Sequence, residues 1–497
     1  MILRKAIATL TLVLCGTPVF ATTTVTTFPT PTTSAASINL PHGTAPTSPN
    51  NGDCWTTTAG LFCQINGATV GPLISGTGTD CPVADAVGFV GDGTTDNASA
   101  WASFVSAAGS TNNICIAFRS KETYKFASAI SVSLGSNQTL TILGNDTRLL
   151  FPSTNGLSVT YSASTGSVGS RITIDHVIWQ TGTTGMTALS VNGNITGSTN
   201  AKPTILRGSL YTGDDYGAAH YWGIGRLLTQ TSDVLITDEG VNGQYAAYNG
   251  LGIEVVGSSS MINATAYVIS RETDFWLSKA VYATGYFQGV LVKDSNFVAL
   301  NRGVDCEATT PQFECSVIGS QFNTANEAIY INNVTFNIIS NNLIEVGAFN
   351  GTITGTGAIS INATSLDTVI SGNVIDCTNA GDTNWNYGIV LNGSGAGNAT
   401  ITGNYSACNA HDVVPTGGPQ GVTFVGNRTS LTAIPAFGAP YIVTDATFGF
   451  YTSSGTIGAT AYSASGTTGV TCSGAPTAAF ASVGGIVTHC RIKFCFL

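Results

Sequence analysis

Two stretches of this sequence hold side chains of the right kinds and spacing for chemistry. The first, YTGDDYGAAHYWG from Tyr211 to Gly223, sets Asp214 and Asp215 beside Tyr216, His220, Tyr221 and Trp222. Paired carboxylates serve as acid and base at a glycosidic oxygen or bind hydroxyls, and aromatic faces stack on pyranose rings. Asp214 and Asp215 are therefore candidate catalytic residues, and Tyr216, His220 and Trp222 candidate sugar-binding ones. The second is a charged column formed by VLITDE, YVISRETDFW and VLVKDSN, which place Asp238-Glu239, Arg271-Glu272-Asp274 and Lys293-Asp294 at similar points. Only 9% of residues are charged, so this clustering stands out. Asp238, Glu239, Glu272 and Asp274 are the catalytic candidates here, and Arg271, Trp276 and Lys293 the binding ones. On stacked strands, carboxylates one step apart lie roughly 5 Å from each other and those two steps apart roughly 10 Å. The first spacing suits a retaining glycosidase and the second is near the inverting range. Each stretch also has a plainer reading that carries more weight: a polar surface loop with packed aromatics for the first, a solvated turn with compensating ion pairs for the second.

Metal chemistry finds little support. In GDGTTD the twelfth position counted from Asp92 is Ser103, where an EF-hand needs a bidentate Glu. The five histidines are scattered and no cysteine spacing resembles a zinc site. No metal and no cofactor are expected.

The elements that must position these residues are strands. Of the 497 residues 43% are hydrophobic and 59 are glycine, with Val, Ile, Thr and Asn abundant, a composition that favours strands joined by many turns. From Val234 the chain becomes repetitive. VLVKDSNFV, SVIGSQFNT, NIISNNLIE, TVISGNVID, ATITGNYSA and VTFVGNRTS each join a short apolar strand to a turn, marked by Asn296, Gln321, Asn342, Asn373, Asn404 and Asn427. Irregular steps of 25, 21, 31, 31 and 23 residues between these markers indicate a parallel β-solenoid with one rung per coil and insertions in loops. A rung cannot bury its inward Val and Ile side chains alone; stacked rungs share a core. Asn tolerates the left-handed turn conformation and can hydrogen-bond the Asn of the next rung.

Twelve cysteines fit an oxidising compartment. Local pairs suggest themselves: Cys54 with Cys63, Cys81 with Cys115, Cys306 with Cys315, Cys377 with Cys408, and Cys472 with Cys490. Cys377 and Cys408 each follow a marker by four residues and are one rung apart, so they should sit one above the other.

Upstream, VGDGTTDNASAWASFV reads as a glycine-aspartate turn, a helix capped by Asp96 or Asn97, and an apolar stripe through Trp101, Phe104 and Val105 that plugs the end of the solenoid. This stretch resembles the N-terminal signature of the pectate-lyase-like right-handed β-helix superfamily, on Gly91, Asp92, Gly93, Thr95, Asp96 and Asn97. The Pro-x-Gly-x-Tyr turn that usually follows is missing before Tyr124. The resemblance implies an all-β, right-handed single-stranded parallel β-helix with an N-terminal capping helix and a small C-terminal β module. The stretch 38–75, with CWTTTAGLFCQING, resembles a phage tail-fibre module, and GVTCSGAPTAAFASVGGIVTHC a terminal module of such proteins. The expected order is a signal peptide at 1–21, a Thr/Pro-rich linker at 22–37, the tail-fibre-like hairpin module at 38–75, the β-helix at 81–430 and the C-terminal module at 431–497.

Superfamily resemblance does not fix function. The successive motifs of polygalacturonases are lacking, apart from one Asp-Asp pair, and Arg491-Ile492-Lys493 lies beyond the solenoid. The net charge of −10 argues against nucleic acid. The signal-like N-terminus is too short and wrongly flanked to span a membrane, and nothing later looks transmembrane. The expected partner is a polysaccharide bound on the side face of the solenoid, with cleavage by a glycoside hydrolase or polysaccharide lyase activity left open. A non-catalytic fibre or adhesin is the alternative. The tailspike-like modules imply a homotrimer. The signal peptide implies secretion to the periplasm or cell surface, and a virion location is the alternative.

Overall fold

The computed structural model describes residues 40 and 43–427, except 58–59, 71–80, 110–112, 162–168, 195–202, 259–265, 348–356, 363, 378–386, 394–395, 409–410 and 417–420. Beyond 427 it describes only the backbone of short strands between Tyr441 and His489. The expected signal peptide and linker lie outside the described residues, as do Cys472 and Cys490.

The chain divides after Gly78 into two units. The first holds a three-stranded antiparallel sheet, Cys54–Thr57, Gly60–Ile65 and Ala68–Val70. Cys54 faces Cys63 across the hairpin and is disulfide-bonded to it.

The second unit is a parallel β-helix. Each coil contributes three strands, and each strand pairs in parallel with its counterpart one coil on. Thr204–Arg207, Leu210–Gly213 and Tyr221–Thr229 pair with Val234–Thr237, Gly240–Asn242 and Leu251–Val256. These pair in turn with Tyr267–Ser270, Thr273–Phe275 and Lys279–Gly285. The next coil adds Gln288–Lys293, Asn296–Leu300 and the start of Arg302–Ile318. Strand alternation sends Val, Ile and Leu inward, where they form one continuous core. A file of rings, Phe126, Phe151, Trp179 and Tyr211, stacks along its N-terminal half.

The helix Ala98–Ala108 stands at the N-terminal end, with Trp101 buried. The Asp96 carboxylate supplies the side-chain cap, its Oδ1 accepting from the Ala98 and Ala127 N–H groups. Asn97 holds the N-cap position, its carbonyl accepting from Trp101 N–H, and makes no side-chain cap bond. Its side chain, buried, ties Val90 to Lys125 instead. Asp92 accepts from the N–H groups of Thr94 and Thr95, which closes the turn.

The asparagine ladder is present, one residue out of the expected register in its first two steps. Ser320 N–H donates to Asn342 Oδ1, Asn342 N–H to Asn373, Asn373 N–H to Asn404 and Asn404 N–H to Asn427, at 2.9–3.0 Å. In the two preceding coils the ladder seats belong to Ser295 and Ser320, not to the marker residues Asn296 and Gln321. Those two start the following strand and pair with each other. A hydroxyl fills the seat as an acceptor, so a serine before each marker went unnoticed as the true equivalent.

Four disulfides close as expected: Cys54–Cys63, Cys81–Cys115, Cys306–Cys315 and Cys377–Cys408. The last links successive coils, its Cα atoms 4.7 Å apart. The final described coil, Val422–Val425, pairs in parallel with Tyr441–Asp445, which turns back antiparallel to Gly449–Thr452.

Candidate functional site

The candidate residues separate into three places, and the backbone explains the split. Each coil has one corner before its middle strand and another after it. At the first corner Asp238, Arg271 and Asp294 adopt left-handed φ values of 56°, 53° and 52°. A residue in that conformation reverses the direction of the next side chain. Asp238 and Arg271 therefore point to solvent, where Arg271 Nε and Nη2 clasp the Asp238 carboxylate. Lys293 lies half-buried beside them.

Glu239 and Glu272, the residues that follow, turn inward and take the ladder seats of their coils. Both side chains have no exposed surface, and Arg226 bridges them: Nη1 lies 2.8 Å from Glu239 Oε2 and Nη2 2.5 Å from Glu272 Oε1. Asp274 joins them from the core file between Val241 and Phe297, accepting the Val241 N–H. Gly252 leaves it room, since a Cβ there would lie 2.8 Å from Asp274 Oδ2. The Tyr211 ring packs on the Arg226 guanidinium at 4.7 Å. Two glutamates thus share one fully buried cation, with the Asp274 carboxyl beside them. Burial and the neighbouring Glu272 charge hold the Asp274 carboxyl well above the usual range. Burial likewise pushes Glu239 up to about 7, against the pull of Arg226. Glu239, Glu272 and Asp274 cannot meet a polymer on the surface, because no part of the two glutamates is exposed and Asp274 is 0% exposed. Trp222 is also a core residue, 0% exposed, with its indole N–H donated to the Trp179 carbonyl.

At the second corner the remaining candidates come together. The loop from Asp214 to His220 is organised by Asp215, whose carboxylate accepts from the N–H groups of Gly217, Ala219 and His220. Burial pushes its carboxyl up, but these backbone donors outweigh it and leave it lowered. Asp214 Oδ1 accepts from His220 Nδ1 at 2.7 Å, which raises the imidazole above its ordinary value and fixes the ring with Nε2 free of this pairing. Both groups are about 40% exposed. The next loop docks on this one, with Tyr245 N–H donated to the Gly217 carbonyl. Gly217 must be glycine: its φ is +89°, and a Cβ would lie 2.3 Å from the Gly243 carbonyl oxygen. One coil on, Trp276 packs edge-on against Tyr245 at 5.0 Å. Tyr216 and Tyr245 are 60% and 61% exposed, so the corner carries an aromatic ridge, Tyr216, Tyr245 and Trp276, on three consecutive coils. Asp214, Asp215 and His220 could also bring ligand atoms within 4.8 Å of one another. Three backbone donors already occupy Asp215, which does not fit a metal centre.

The third strand of each coil begins just past this ridge and carries residues not singled out from the sequence. Lys279, Arg302 and Glu327 occupy one lateral column, and Glu254, Tyr282, Asp305 and Tyr330 another. Asp305 Oδ2 receives Lys279 Nζ at 2.7 Å and Arg302 Nη1 at 2.9 Å, and Arg302 Nε binds Glu327 at 2.8 Å. Lys279 and Arg302 also lie over the Tyr282 and Tyr330 rings. Glu307 stands beside them, one third exposed and 3.6–3.7 Å from both cations. Burial and then the Asp305 charge raise its carboxyl. A readable signal existed in RGVDCEA: with Val304 and Cys306 inward, Asp305 and Glu307 must face outward.

No family model matches the sequence, and no curated protein does. Among solved structures the chain is similar to tailspike protein 3 of bacteriophage CBA120, at 14% identity and TM-score 0.44, over 73% of this chain and 55% of that one. It is similar to an alginate lyase from Paenibacillus at 16% identity and TM-score 0.28, over 69% and 96%. It is also similar to PfbA, a surface adhesin of Streptococcus pneumoniae, at 13% identity and TM-score 0.29, over 74% and 98%. The chain thus spans just over half the length of the tailspike. At such identities the likeness is one of fold, and no site residue carries over.

Proposed function

We propose that the chain binds a polysaccharide along the second corner and the strand face beside it. The observation that carries this reading is the ridge of exposed Tyr216 and Tyr245 and half-buried Trp276 on successive coils. Coils repeat at about 4.8 Å, so the ridge offers a row of apolar faces to an extended polymer rather than one pocket for a small ligand. Polar groups flank it on both sides, as sugar hydroxyls require. His220, oriented by Asp214, and Glu307, raised and partly exposed, are the groups placed to move a proton if the polymer is also cleaved. The second reading is an adhesin that holds the glycan unchanged.

Incubation of the purified protein with acidic, neutral and basic polysaccharides separates these outcomes. New reducing ends mean hydrolysis, absorbance from an unsaturated sugar means elimination, and retention without products means adhesion. Failure to retain any polymer contradicts the reading.

Export rests on the signal-like N-terminus and is supported by four disulfides, which persist in oxidising compartments. Among the described residues no helix is long and apolar enough to cross a membrane. A homotrimer is part of the same proposal. Ile338, Leu343, Val369, Val374 and Tyr405 are 38–46% exposed on adjacent coils, in register along the axis, and copies lying side by side would cover them. Light scattering should give three times the chain mass; the mass of a single chain would contradict it.

A further inference from the structure

The charge arrangement of the strand face carries the functional reading one step further, to the class of glycan. A polymer of uronic acids presents a carboxylate on every unit and needs cations free to receive it. The two cations on this face are already engaged. Lys279 is bound to Asp305 and lies near Glu307 and over the Tyr282 ring. Arg302 is bound to Asp305 and Glu327, lies near Glu307 and packs on Tyr330. At the corner, His220 gives its Nδ1 to Asp214.

The anions, by contrast, are in excess. Asp305, Glu307 and Glu327 surround two cations, and Glu254 stands half-buried two coils from Asp305 in the same column. Asp214 and Asp215 add to them at the corner. Glu307 keeps a third of its side chain in solvent. Asp305 Oδ1 is buried and meets no hydrogen-bond partner among the described residues, so acceptors outnumber donors in this cluster. At the partly exposed Glu307 carboxyl, a ligand that brings N–H or O–H donors is favoured and a carboxylate is disfavoured.

We propose that this face takes polysaccharides without uronic acid and binds those bearing protonated amino sugars most tightly, with Glu254 and Glu307 as the residues that set the preference. The inference rests on the polysaccharide-binding reading above.

Three probes test it by affinity electrophoresis at mildly acid pH and low salt: chitosan, dextran and polygalacturonate. Wild type should be retarded most by chitosan, less by dextran and least by polygalacturonate. Glu254→Gln with Glu307→Gln should weaken chitosan binding roughly tenfold and leave dextran binding within about twofold. Asp146→Asn with Asp367→Asn changes the net charge equally, away from the face, and should leave all three unchanged. Retardation by polygalacturonate equal to or above that by chitosan would overturn the class while leaving polysaccharide binding intact. Equal weakening by the two double variants would overturn the role of Glu254 and Glu307. Retardation by none of the three polymers would overturn the class together with the reading beneath it. Thermal unfolding of the variants, expected to match wild type, guards against loss through misfolding.

Discussion

Arg226→Met should destabilise the solenoid by about 3–5 kcal/mol, the cost typical of stripping one partner from a buried ion pair. Arg226 is 0% exposed and is the sole cation paired with Glu239 and Glu272 among the described residues. Methionine would fill much the same volume, so packing is not the main loss; two or three carboxyl groups would be left in a dry interior without a counter-charge. The triple variant Arg226→Met, Glu239→Gln, Glu272→Gln should recover most of the loss, because replacing a whole buried ion cluster by neutral groups is often close to neutral. Denaturant midpoints of the three proteins check this, and an Arg226→Met protein as stable as wild type would contradict it. The same cluster sets a pH dependence. Glu239 titrates near 7 in the folded chain against an ordinary value of 4.5, so the folded state holds the extra proton between those values. The stability this provides is complete below the ordinary value and is lost as pH rises through about 7; Asp274, raised further, acts in the same direction. Wild type should therefore unfold at lower temperature in mild alkali than in mild acid, and Glu239→Gln should flatten the slope.

Asn373→Ala should cost about 2–4 kcal/mol, since each buried polar group left unsatisfied costs about 1–3 kcal/mol. Asn373 is 0% exposed. Its Oδ1 accepts from the backbone N–H and from Nδ2 of Asn342, and its Nδ2 donates to the Ile339 carbonyl and to Asn404 Oδ1. Alanine strands groups on the coil before its own and on the coil after it. Asn373→Ser should cost less, because serine serves in the same seat at Ser295 and Ser320. Asn373→Asp should cost more than serine, because a carboxylate keeps the acceptor but turns both donated bonds into oxygen–oxygen contacts. Equal stability of the alanine and wild-type chains would show that the ladder contributes packing alone.

The coils, the capping helix and four cysteine pairs were legible because they rest on local pattern: the strand-turn-Asn repeat, the helical stripe through Trp101, and cysteines at matched offsets from Asn373 and Asn404. The site was only partly legible. Asp214, Asp215, Tyr216 and His220 stand together in one loop and were visible as a cluster. The column from Asp238 to Asp294 was found at the right points of successive coils, but its inside and outside were not. One left-handed residue at each turn sends Asp238 and Arg271 to solvent and Glu239 and Glu272 to the core, and sequence spacing does not show that reversal. Arg226 went unrecognised because its partners lie 13 and 46 residues away. The face built on Lys279, Arg302, Asp305 and Glu307 was less legible because Lys279 comes from one strand and Arg302, Asp305 and Glu307 from the next coil's. Tyr245, in QYAAYN, gains a role only when the loops of three coils stack.

The proposed function lays a glycan polymer along the ridge of Tyr216, Tyr245 and Trp276. Affinity electrophoresis of wild type and of Tyr245→Ala with Trp276→Ala, in gels cast with chitosan, dextran or polygalacturonate, tests it most directly. Tyr245 is exposed and Trp276 half-buried, and neither belongs to the core, so the variant should unfold close to the wild-type midpoint. Wild type should be retarded in at least one gel, and the variant should lose roughly tenfold or more of that affinity, as removal of stacked aromatic area implies. Wild type unretarded in every gel, or a variant retarded as strongly as wild type, would contradict the account.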